Sequence, residues 1–147
     1  MDELTSYVTA IDHVGIAVAD LDEAIACYRD VMGLELYHRE TNERQGVREA
    51  MMRAPGNAGG AVIQLLAPLT PESTIAKFLS RSGPGMQQLA YRVSDLDAAS
   101  NALRAKGLRL IYDQAIAGTA NSRVNFIHPK DAGGVLVELV EEGPSQH

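Results

Sequence analysis

The chain has 147 residues, 46% of them hydrophobic, and a formal net charge of −6. That length and apolar content support one compact domain with a sizeable core. The acidic balance, with no block of Lys or Arg, argues against nucleic acid and against an anionic membrane surface as partners, and is compatible with a local basic pocket for an anionic small molecule.

Residues 1–9 read as a polar lead-in, loose or added at a sheet edge. The region has neither the basic nor the apolar segment of a signal peptide, and no apolar run approaches membrane-spanning length, so a cytoplasmic protein is expected. Ile11–Val18 is apolar apart from Asp12 and His13, the pattern of a well-buried strand. Asp20 is placed to cap a helix, with Glu23 completing a capping box. Leu21, Ala24, Ile25, Tyr28 and Met32 form its apolar stripe, and Gly33 ends it. The single Cys27 lies in this helix. It excludes an internal disulfide framework and is expected to be a small buried or half-buried residue.

Leu34–Arg39 reads as a strand, Thr41–Gln45 as a polar turn and Val47–Arg53 as a strand. Ala54–Gly60, rich in Gly, Pro and Asn, is a loop, and Ala61–Ala67 is a fourth strand. In the connector Thr70 is placed to cap a short helix with Pro71 at its first position and Ile75, Phe78 and Leu79 as its apolar side. Met86–Val93 is the next strand. Asp95 caps a helix that Gly107 ends, Leu108–Tyr112 is a strand and Gln114–Ala120 a loop. Arg123–Ile127 and Val135–Val140 are the last strands, separated by the turn His128–Gly134, and Glu141–His147 reads as a disordered tail.

Much of Ile11–Leu36 returns at Met86–Leu110. Val18/Val93, Asp20/Asp95, Leu21/Leu96, Asp22/Asp97, Ala24/Ala99 and Arg29/Arg104 match, and after a one-residue slip so do Gly33/Gly107, Leu34/Leu108 and Leu36/Leu110. Gly59–Leu66 likewise matches Gly133–Val140. The chain is therefore two copies of one β-α-β-β-β unit. The expected fold is α+β: modules of about 9–69 and 85–141, joined by 70–84, forming one open, curled mixed sheet.

Side chains on a strand alternate between faces, so polar residues among apolar ones stand out. His13 shares a face with Ile11, Gly15 and Ala17; Gln64 lies between Val62 and Leu66; Gln88 lies with Met86 and Ala90; Glu138 lies between Leu136 and Val140; Glu49 lies between Val47 and Met51. Burying such groups unpaired is costly. In the repeat His13 corresponds to Gln88, and Gln64 to Glu138. Singly, each is an ordinary hydrogen-bonded or exposed strand residue. As repeat-related positions they also fit a shared cation site, mainly oxygen with one nitrogen, suited to Mg²⁺, Mn²⁺ or Co²⁺. Both readings stand on the residues alone.

With these segments in view, the chain resembles the vicinal oxygen chelate superfamily. Over roughly Ile11–Leu139 it is similar to the methylmalonyl-CoA epimerases: IDHVGIAV at 11–18, QGVREAMM at 45–52, the QLLAPL–PEST–IAKFL run at 64–79, GMQQLAYRV at 85–93 and FIHPKDAGGVLVEL at 126–139. The resemblance implies metal ligands at His13, Gln64, Gln88 and Glu138, a catalytic carboxylate at Glu49, a divalent ion (Co²⁺, Mn²⁺ or Mg²⁺) and a homodimer. Position 88 departs from the pattern, which has a second histidine where this chain has Gln88, and the change favours harder ions.

The implied reaction inverts the α-carbon of methylmalonyl-CoA. Glu49 and Glu138 are expected to act as the two bases, with Glu138 also a ligand. Val47 and Met51 are expected to raise the pKa of Glu49 towards neutrality, where a general base works best. Lys130, Arg123 and Lys77 are candidates for the CoA phosphates by position only, and the Gly118–Arg123 loop is a candidate neighbour of the acyl group. Extradiol dioxygenases need the histidine that Gln88 replaces, and glyoxalases carry Glu in place of Gln64. The alternative from another class is a metal-free binding or sequestration protein on the same fold.

Overall fold

The computed structural model describes residues 7–56 and 59–143. The first six residues of the lead-in, residues 57–58 of the Ala54–Gly60 loop and the last four of the tail lie outside the described residues. The chain divides into two compact units, His13–Gln87 and, with Met1–Asp12, Gln88–His147. The connector therefore belongs to the first unit, and the N-terminal segment to the second.

In the first unit the strands run in the order β2 (Glu35–Asn42), β3 (Val47–Arg53), β4 (Val62–Pro68) and then β1 (Val8–Ala17), to which this unit contributes His13 onward. β2, β3 and β4 are antiparallel, and β1 runs parallel to β4. The crossover is α1 (Leu21–Ala26), where Asp20 Oδ1 accepts from the Glu23 N–H at 3.0 Å as predicted. The helix then widens into a π-helical turn, Cys27–Val31, before Gly33 turns the chain at φ +82°. Leu21 and Ile25 pack on Ala50, Met52, Leu65 and Ala67, closing one face of the sheet. Fully burying a side chain of that size contributes about 1.5–3 kcal/mol. Cys27 is exposed, against expectation, because it lies beside the Leu21, Ala24, Ile25 and Tyr28 stripe and not on it.

The connector helix, α2 (Thr74–Ser82), is capped by Ser73, not Thr70: Ser73 Oγ accepts from the Ala76 N–H at 3.1 Å. A preceding turn, closed by Ser73 N–H donating to Thr70 O, uses up the residues from Thr70. Ile75, Phe78 and Leu79 pack on Ala17, Val47 and Leu66, at the end of the sheet face opposite α1.

The second unit repeats the plan with strands β5 (Gly85–Val93), β8 (Val137–Glu141), β7 (Arg123–Ile127) and the two-residue β6 (Ile116–Ala117), in that order. Its helix α3 (Leu96–Ala105), capped by Asp95, covers one face with Leu96, Ala99 and Leu103 against Val93, Ile127, Val137 and Leu139. The predicted strand Leu108–Tyr112 is reduced to a single bridge at Leu110 beside Ile127: the Arg109 backbone N–H is taken by Asp131, and the Tyr112 N–H and carbonyl by the Asn125 side chain. Within the predicted tail, Glu141 closes β8, accepts from the Leu96 N–H at 2.9 Å and pairs with Arg123. It therefore caps α3 from another strand.

Candidate active site

In the first unit, cross-strand partners share a face, and the register assigns that face residue by residue. Gly15 lies opposite Gln64, Gln64 opposite Met51, and Leu66 opposite both Ala17 and Glu49. His13, Gln64 and Glu49 therefore stand on one side of this sheet, the side away from α1. All three are buried, at 4%, 3% and 2% relative exposure. A Gln64 Nε2 N–H donates to Glu49 Oε1 at 3.2 Å. Val47 and Met51 are buried on either side of Glu49 along β3.

The second unit carries a similar pair, on strands that are not the repeat equivalents of β3 and β4. Ala90 lies opposite Glu138, which lies opposite Phe126. Gln88 and Glu138 therefore share the face lined by Ala90, Val124, Phe126 and Val140, away from α3. Gln88 Nε2 donates to Glu138 Oε1 at 2.8 Å, and both residues are buried. Each unit thus holds a buried carboxylate against a glutamine N–H, on neighbouring strands. Sequence patterning marked the four residues but not this pairing, which depends on strand register.

The donor chemistry of these residues suits a hard cation. An amide whose N–H side faces a carboxylate turns its carbonyl oxygen the other way, and that oxygen is the atom a divalent ion takes. In the first unit Gln64 has its N–H on a carboxylate and His13 adds an imidazole nitrogen, and in the second Gln88 has its N–H on the Glu138 carboxylate. Among the described residues no three His, Cys, Asp or Glu side chains gather as a metal-binding group.

Sequence reading passed over a second polar pair on the first unit's open face. His38 Nε2 lies 2.6 Å from Glu40 Oε1, and Glu40 is the cross-strand partner of Glu49. The register of β2 shifts between Leu36 and His38, leaving Tyr37 as a bulge.

The candidates for CoA contact fare unequally. Arg123 is engaged by Asp97 at 2.9 Å and Glu141 at 3.3 Å, whereas Lys77 and Lys130 are exposed. The HPKD turn is fixed by Asp131, whose carboxylate accepts the Nε and Nη2 N–H groups of Arg109 and its backbone N–H. These bonds hold the Asp131 carboxyl down at about 2. In the Gly118–Arg123 loop, Ala120 and Asn121 are left-handed at φ 55° and 63°. A Cβ at Gly118 would meet Ser122 Oγ and Val124 Cγ1 at 2.6 Å each, so glycine is required there.

Comparison with known proteins supplies the wider setting. Residues 12–126 match the family model of the Glyoxalase/Bleomycin resistance protein/Dioxygenase superfamily. The crystal structure of methylmalonyl-CoA epimerase from Mycobacterium tuberculosis is 64% identical, with a TM-score of 0.89 over 93% of this chain and 90% of that one. A Streptomyces coelicolor methylmalonyl-CoA epimerase in complex with 2-nitronate-propionyl-CoA is 42% identical, with a TM-score of 0.86 over 93% of this chain and 99% of that one. An ethylmalonyl-CoA/methylmalonyl-CoA epimerase from Cereibacter sphaeroides is 36% identical, over 88% of this chain and 95% of its own length. Among the described residues no helix is long and apolar enough to cross a membrane.

Proposed function

Because the chain belongs to the Glyoxalase/Bleomycin resistance protein/Dioxygenase superfamily and, within it, to the methylmalonyl-CoA epimerases, we propose that it inverts the α-carbon of methylmalonyl-CoA by taking a proton from one face and returning one to the other. The observation that carries this reading is the pair of buried carboxylates, each held by a glutamine N–H on a neighbouring strand. Inversion by proton transfer needs one group to accept while another donates, and each must be oriented before the substrate arrives. Glu49 and Glu138 take these roles in alternation, according to which epimer is bound. The amide N–H on one oxygen of each carboxylate fixes the plane of the group. The apolar neighbours of Glu49 exclude water from its side of the reaction.

The α-proton is weakly acidic, because negative charge grows next to the substrate's own carboxylate. His13, Gln64, Gln88 and Glu138 would hold a divalent ion, Mg²⁺, Mn²⁺ or Co²⁺, and when bound it supplies positive charge where that negative charge develops. In this reading the enzyme works in the cytoplasm as a homodimer. A metal-free sequestration protein has no use for two buried carboxylates, each clamped by an amide.

Glu49→Gln keeps an acceptor for the Gln64 N–H and removes the base. We expect turnover to fall by about 10²–10⁴-fold, with bound divalent metal, measured by plasma emission on the purified protein, unchanged. Retained turnover would exclude Glu49 as a base.

A further inference from the structure

We propose that His38 and Glu40 form a proton relay between the buried carboxylate Glu49 and solvent, clearing Glu49 of the proton it takes from substrate. The inference rests on Glu49 acting as a base, and its test separates the two ideas. A base buried to 2% exposure that has accepted a proton must lose it before it can act again on the same epimer, and direct contact with water is denied to it. Glu40 faces it from β2. The two are cross-strand partners, which sets their Cβ atoms about 4.5–5.5 Å apart on the same face. Glu40 Oε1 is in turn 2.6 Å from His38 Nε2, and the side chains of the pair are 28% and 35% exposed. The series Glu49, Glu40, His38 thus runs from buried to solvent-accessible. It links carboxylate to carboxylate to imidazole, the side chain whose ordinary pKa lies nearest neutrality.

The bulge at Tyr37 is the second, independent observation. In a regular strand Leu36 and His38 would lie on one face. Here Leu36 pairs with Met52 and packs towards α1, whereas His38 pairs with Met51 on the opposite face. A single extra residue reverses the facing of everything beyond it. Without it, either Leu36 would leave the core or His38, Glu40 and Asn42 would all turn away from Glu49. The register of β2 therefore keeps the core filled and brings the dyad to the catalytic face at once.

Each relay step is a proton transfer and balances without a co-reactant. The Glu49 carboxyl gives its proton to the Glu40 carboxylate, Glu40 to the neutral imidazole of His38, and the imidazolium to water. Clearing occurs on the enzyme after product has left. It therefore enters kcat and leaves kcat/KM untouched, a division that a distorted site would not produce.

The experiment uses His38→Ala, His38→Gln and Glu40→Gln on the intact protein, with folding confirmed by circular dichroism. Initial rates are followed with single-epimer methylmalonyl-CoA at a range of concentrations. We expect kcat to fall by about tenfold or more with kcat/KM held within about twofold, and added imidazole to restore kcat in His38→Ala but not in Glu40→Gln. With α-deuterated substrate, the variants should pass more deuterium from one substrate molecule to the next. If kcat and kcat/KM fall together, or neither changes in the folded variants, the relay is overturned. An active Glu49→Gln enzyme would overturn the base assignment itself; an inactive one beside unaffected His38 and Glu40 variants would overturn the relay alone.

Discussion

At the scale of single residues, the amide side chains carry a double burden. Gln64 and Gln88 each present an N–H to a carboxylate, and each keeps a carbonyl oxygen as an acceptor. Position 88 carries Gln where the resemblance to the epimerases implies histidine, and the consequence is specific. An imidazole nitrogen favours borderline ions such as Co²⁺, whereas an amide oxygen suits Mg²⁺ and Mn²⁺. Gln88→His should therefore tighten Co²⁺ binding by about tenfold or more while leaving Mg²⁺ little changed, as read by titration calorimetry. An unchanged ratio of the two affinities would remove Gln88 from the ligand set. The identities of His13, Glu49, Gln64, Gln88 and Glu138 were legible in the sequence because each interrupts an apolar face. His38 was not, since simple alternation sets it beside Leu36, and only the Tyr37 bulge separates them.

At the scale of elements, local chemistry reads well and tertiary override reads poorly. Asp20 and Asp95 cap their helices as their sequence context implies. Ser73 displaces Thr70 as the cap of α2 because a turn intervenes, and Glu141 reaches the N-terminus of α3 from β8, a contact no local pattern contains. The Arg109–Asp131 pair is a further long-range tie, and it fixes the HPKD turn. Its pH dependence has a definite sign. The hydrogen bonds from Arg109 lower the Asp131 carboxyl from 3.8 to about 2, so the ionised form is favoured in the folded state. A carboxyl so lowered adds stability above its unfolded value, and that stability disappears as pH falls through the folded value. Thermal midpoints of the wild type and Asp131→Asn should thus differ most above about pH 4 and converge as pH approaches about 2. A difference independent of pH across that window would contradict the assignment.

At the scale of the whole molecule, the repeat is the organising fact. Two copies of one strand–helix unit each give one face to a helix and set a few buried polar residues among apolar ones on the other. The matched segments announced this in the sequence, down to the paired positions His13/Gln88 and Gln64/Glu138. What the sequence withheld was the division of the chain, in which the N-terminal segment Met1–Asp12 joins the second unit and the connector joins the first. Such a division follows from strand pairing between distant residues, which carries no local signature. The two carboxylates on which the proposed chemistry depends are not repeat-related: Glu138 on β8 is the counterpart of Gln64 on β4, whereas Glu49 on β3 takes the place that Val124 holds on β7. Two bases make a demand that one base does not. When a single epimer of methylmalonyl-CoA is converted in D₂O and stopped early, the product epimer should carry solvent deuterium at its α-carbon while recovered substrate remains unlabelled, and chelator should suppress both conversion and labelling. Equal labelling of substrate and product would contradict the two-carboxylate account, and absence of both labelling and inversion would contradict epimerisation itself.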